Sequence, residues 1–104
     1  MNFAEQLKAE SDLATIKFAD EFSETIKPKL ADAAKEGYSA YRYKINQLTE
    51  SEKEKLHLYT SPVLVDRLNK KLDGVLVEHE KVFVENLLFK GRGLHEHYLV
   101  FRWG

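Results

Sequence analysis

The chain contains no cysteine. That one absence removes disulfides, thiolate zinc sites, iron–sulfur clusters and cysteine nucleophiles together. Proline occurs only twice and glycine five times, so there is no linker-like or low-complexity stretch, and we read residues 1–104 as a single domain. No apolar run approaches the roughly 20 residues needed to span a bilayer. The first residues, Met1 to Lys8, mix charges and lack a basic segment followed by an apolar one. A soluble, cytoplasmic protein is therefore expected. The excess of either charge is small, with a formal net charge of -1, which predicts no general affinity for nucleic acid or anionic membrane. The Gly-x-Ser-x-Gly nucleophile elbow, the P-loop ending and any marked carboxylate spacing are also missing, so no catalytic residue and no cofactor are expected.

What the chain does contain is core material: 43% hydrophobic and 12% aromatic residues in 104. A chain of this size buries roughly two-thirds of its unfolded surface, enough for one core. Residues 2–36 read as a long helix. Phe3, Leu7, Ala14, Phe18 and Phe22 share one arc at 3.6 residues per turn and are the expected buried face. Pro28 should interrupt this helix, re-aiming Ile26, Leu30 and Ala33, and Gly37 should end it. Tyr38 to Ile45 alternates as a strand, with Tyr41, Tyr43 and Ile45 on one face and Ala40, Arg42 and Lys44 on the other. Thr49 and Glu52 fit a capping box, and Ser61-Pro62 starts a helix whose buried arc is Leu64, Val65, Leu68 and Leu72. Asp73-Gly74 closes it. Val75–Phe89 and Leu94–Trp103 supply two more strands, the first too long for one flat strand, so a bulge or bend near residues 80–85, or a loop that takes up part of it, is expected. Lys90-Gly91-Arg92-Gly93 reads as the hairpin turn between them.

The expected fold is thus α+β: a long N-terminal helix, then β-α-β-β with a small, mostly antiparallel three-stranded sheet covered by helix. Two resemblances accompany it. The long helix ending Ala33-Ala34-Lys35-Glu36-Gly37, the helix closed by Asp73-Gly74 and the last strand Leu99-Val100-Phe101-Arg102-Trp103 look in layout like small proteins encoded by phages and prophages of Gram-positive bacteria. That resemblance implies an accessory protein acting by binding another protein. The order of elements also resembles a winged helix, which would make Ser61–Leu72 the recognition helix and Lys90–Gly93 the wing tip. In that alternative Arg67, Lys70, Lys71, Lys90 and Arg92 would meet phosphates, although Asp66 sits on the same face.

Two further sets of side chains carry specific expectations. His95 and His97 fall on one face of the last strand, and His79 joins them only in some registers. A tight turn at Gly91-Arg92 would set His97 opposite Asn86 and leave His79 at the far end. No fourth ligand is evident, and a functional metal is not expected. Leu13 and Ile16 lie roughly opposite the Phe3–Phe22 arc. They mark a second apolar strip for a protein partner, most simply a second copy in a homodimer. A non-catalytic interaction protein is the functional expectation; a DNA-binding winged helix is the alternative and a metal-dependent enzyme a distant third.

Overall fold

The computed structural model describes residues 2–45, 54–85 and 93–104. The capping-box residues Thr49 and Glu52, and Lys90 and Arg92 of the expected turn, lie outside them. Helix α1 spans Phe3–Lys35, strand β1 Ala40–Lys44, helix α2 Leu56–Tyr59, helix α3 Pro62–Lys71, strand β2 Leu76–Glu85 and strand β3 Gly93–Arg102. The sheet is antiparallel with order β1-β3-β2, and α1 and α3 pack together on one face of it. The fold is α+β, as the pattern of the sequence predicts.

Local chemistry sets most of the boundaries. The Asn2 side chain accepts the Glu5 N–H at 2.8 Å and opens α1. At its other end Gly37 takes φ +95°, a left-handed conformation that costs glycine little. The N–H groups of Gly37 and Tyr38 then donate to the carbonyls of Ala34 and Ala33, both at 3.0 Å. Ser61 caps α3 by accepting the Val63 N–H at 3.2 Å, with Pro62 in the first turn.

Helix α1 departs from the expectation twice. It runs through Pro28 as one element. Pro28 faces solvent, so the Glu24 carbonyl that it leaves without an N–H can bond to water. The buried face is also different. Thr15, Ala19, Phe22, Ser23, Ile26, Leu30 and Ala33 are buried, whereas Phe3, Leu7 and Ala14 are exposed and Phe18 is half-buried. Helix α3 and the sheet meet only the C-terminal two-thirds of α1, and the contact there uses small residues that a search for large apolar ones passes over. Burying Thr15 and Ser23 costs little because their hydroxyls donate within the helix, to Ser11 at 2.9 Å and Asp20 at 2.7 Å.

Strand β1 alternates as expected: Tyr41 and Tyr43 are half-buried and turn toward the helices, and Ala40, Arg42 and Lys44 are exposed. Its partner is β3, with Tyr41 opposite Phe101 and Tyr43 opposite Leu99. Strand β2 then continues without a break in register to Glu85, so the predicted bulge is not found. The tight-turn register is not found either. Lys81, not Asn86, lies opposite His97, and the connection spans residues 86–92. This pairing keeps Val77, Leu99 and Phe101 together on the covered face, which a slip by an odd number of residues would destroy. Those three, with Ile26, Ile45, Leu64 and Leu68, make up the fully buried centre of the core.

Helix α3 is fixed to the sheet edge by one side chain. Asn69 accepts the Val77 N–H at 2.8 Å and donates to the Val77 carbonyl at 3.1 Å, as a neighbouring strand would; it also donates to Val65 at 3.0 Å. The Asn69→Ala variant strands the N–H of buried Val77 and should lose about 1–3 kcal/mol of stability. Urea unfolding measures this, and a change below about 0.5 kcal/mol would show the bridge to be dispensable.

Candidate functional site

The uncovered face of the sheet is occupied by its own charges. Arg102 bonds Glu78 at 2.9 Å, Lys44 bonds Glu96 at 3.0 Å, and Arg42 pairs with Glu80 while its guanidinium lies 3.7 Å from the centre of the Tyr98 ring. Tyr98 donates to Glu96, and this bond, with the Lys44 ammonium, holds the Glu96 carboxyl below its usual range. Surface pairs of this kind contribute little stability. Val100 of β3 lies between Arg42 and Glu78 on this face and is buried. Among the described residues three cations and three carboxylates pair across this face, so their charges balance.

On the helix-facing side, the observed register brings two of the three candidate histidines together. His79 lies opposite Leu99, so His97 is its diagonal neighbour. The His79 Nε2 and His97 Nδ1 are 2.9 Å apart, and the ring centres are 5.1 Å apart with 9° between planes, so the two rings lie edge to edge and nearly coplanar. One ring nitrogen must donate and the other accept, which requires the shared contact to hold a single proton. His95 is the register partner of Phe83, and its side chain lies outside the described residues. Among the described residues no group of three His, Asp or Glu side chains is placed to hold a metal. The arrangement is chemically a hydrogen-bonded imidazole pair at the end of the core.

That pair predicts a pH dependence. Burial, followed by the Lys81 charge, holds His79 below its ordinary value of 6.5. The folded state therefore binds this proton less readily than the unfolded chain does. Stability is full above the unfolded value, falls as pH drops through it, and levels off below the folded one. Denaturant titrations from neutral to acid should show this decline and show it reduced in His79→Gln. An identical decline in that variant would assign it elsewhere.

The cations of the DNA-binding alternative are placed differently from one another. Arg67 forms a two-pronged contact with Asp20 of α1, at 2.8 and 3.2 Å, and the Lys71 ammonium lies 3.9 Å from the same carboxylate. The Arg67 bond, despite some desolvation, holds the Asp20 carboxyl below its usual range. These two cations serve the α1–α3 contact. Lys70 is exposed, and Lys90 and Arg92 lie outside the described residues. Five phosphate contacts would give a salt slope of about −4.5. With Arg67 and Lys71 committed to Asp20, fluorescence anisotropy against duplex DNA should show neither that slope nor sequence-specific binding at physiological salt. Micromolar binding lost in Lys70→Ala would contradict this.

The remaining feature is the start of α1. From Asn2 to Ala14 no residue is buried. Phe3 keeps 72% of its surface exposed, Leu7 48% and Leu13 66%. Leu13 is thus exposed as expected, whereas Ile16 is half-buried and lines a shallow hollow with Val63, Asp66, Arg67 and Lys70. Beyond this free stretch, α1 enters an aromatic cluster. Phe18 meets Tyr59 edge-on at 5.0 Å, and Phe22 meets Tyr59 at 5.5 Å and Tyr43 at 5.2 Å. The rings form the wall of an open hollow of about 360 Å³ between α1, α2 and β1. Sequence reasoning missed both parts of this site. It placed Phe3 and Leu7 in the core, and no local signal links Tyr59 to Phe18 across the chain.

The fold and its surfaces define a two-layer α+β domain whose distinguishing feature is a partly free N-terminal helix beside an aromatic hollow. No family model, curated protein or solved structure matches the chain. Among the described residues no helix is long and apolar enough to cross a membrane.

Proposed function

We propose that this chain is a non-catalytic interaction protein that works in the cytoplasm as a homodimer, with the free first third of α1 as its contact surface. One observation carries the reading: Phe3, Leu7 and Leu13 project from a helical stretch in which nothing is buried. Isolated helices of fewer than about 12–15 residues are marginal in water. An apolar surface on such a stretch favours a partner that covers it. Leu13 is exposed on the same stretch but on the side away from Phe3 and Leu7, and Ile16 lies beyond it where α1 meets α3. The phage-like layout of the sequence is in keeping with an accessory protein that acts by binding.

Sedimentation velocity over a concentration series tests the proposal. The natural protein should pass from monomer to dimer in the micromolar range, and Leu13→Glu should weaken the association by setting a charge beside the contact. A 12.1 kDa species at every concentration would refute self-association.

A further inference from the structure

We infer that two copies pair their first helices antiparallel, each seating its Phe3 at the aromatic hollow beside Phe18 of the other. This rests on the self-association proposed above and specifies its geometry. Phe3, Leu7, Ala14 and Phe18 lie within an arc of about 60° on α1. Their spacings of four, seven and four residues are the same in either direction. Turned end for end, a second copy of the strip therefore matches the first, with Phe3 opposite Phe18 and Leu7 opposite Ala14. Each large side chain at the inner positions meets a small one, as close helix packing requires. A two-fold axis perpendicular to α1, between Glu10 and Ser11, relates the copies and makes the contact isologous.

The outer positions explain why the strip ends where it does. Phe3 is the most exposed large apolar residue described, and Phe18 is half-buried at the hollow that it lines with Phe22, Tyr43 and Tyr59, the Lys55 ammonium lying 5.7 Å from its ring centre. The partner's Phe3 arrives at this hollow, where edge-on contact with rings is favourable. Glu21 stands on the same line of α1 one turn beyond Phe18, and the hollow includes it. There it faces the positive end of the partner's α1, an attraction between a carboxylate and a helix N-terminus. Each copy thus supplies one ring and one hollow, and both are filled at once. The strip from Phe3 to Phe18 is about 24 Å long. A contact of this length falls short of the roughly 800 Å² per partner of a standard stable interface, so the dimer should dissociate on dilution.

Because the chain has no cysteine, introduced thiols report the pairing without background. Leu7→Cys and Ala14→Cys proteins, prepared separately and mixed under mild oxidation, should form a mixed disulfide far faster than either forms a disulfide alone. Phe3→Glu should raise the dimer dissociation constant by about 30-fold or more, as loss of an aromatic anchor, removed here from both ends of the symmetric contact at once, does. Both positions are exposed in the monomer, so folding is not at stake. A dimer that survives Phe3→Glu, or that links Leu7→Cys to itself as readily as to Ala14→Cys, would overturn this geometry and leave self-association intact. A protein that is monomeric throughout would overturn both.

Discussion

Phe101→Ala should lose about 3–5 kcal/mol of stability, the range for truncating a buried aromatic residue. Phe101 is wholly buried on the central strand, with Tyr41 opposite it on one side and Val77 on the other. It is therefore the point where all three strands meet the helical layer. A domain has only about 5–15 kcal/mol in total, so the variant should be partly unfolded in dilute urea. The check is a large fall in the urea midpoint with little change in slope. A loss below about 1 kcal/mol would mean that the strand order, or the face on which the helices lie, is wrong.

Ile26→Ala should lose about 2–5 kcal/mol, whereas Phe3→Ala, measured at dilution where the monomer prevails, should change stability by no more than about 0.5 kcal/mol. The contrast is informative because the sequence directs both residues to the core and the structure buries only Ile26. By spacing alone Phe3 heads the most regular apolar arc on α1. In the fold it is exposed, and Ile26 is among the fully buried side chains. Equal losses for the two variants would restore the arc of the sequence and remove the free surface.

What could be read from the residues was whatever local chemistry decides. The caps at Ser61 and Gly37, the proline at the start of α3 and the alternation of Tyr41, Tyr43 and Ile45 each impose their conformation within a few bonds, and all are present. The face of α1 that is buried is not a local property. It depends on how far α3 and the sheet reach along the helix, and the contact includes the small residues Thr15, Ala19 and Ser23 beside Phe22, Ile26 and Leu30. The position of Arg67 is similarly hidden, since its partner Asp20 lies 47 residues away.

The hairpin register was left open for a different reason, and it was recoverable. Glycines at 91 and 93 allow a tight turn, which would set His97 opposite Asn86, while another register brings His79 to the last strand. Yet His97 shares its face with Leu99 and Phe101, whereas position 86 falls on the face of Glu78 and Glu80. Pleat parity alone disfavours the pairing. The observed register joins like faces and, as a consequence, brings His79 to His97. The histidine pair was therefore implicit in the alternation of Val77, Leu99 and Phe101, while the aromatic hollow, which joins Phe18 and Phe22 of α1 to Tyr43 and Tyr59 of two other elements, was not.

Amide hydrogen exchange along α1, followed as protein concentration rises, tests the central claim most directly. Residues 19–33 should be protected at every concentration, because they face the core. Residues 3–14 should exchange freely at dilution and gain protection as the dimer forms. Rates across residues 3–14 that do not change with concentration would contradict the assignment of this stretch as the contact surface.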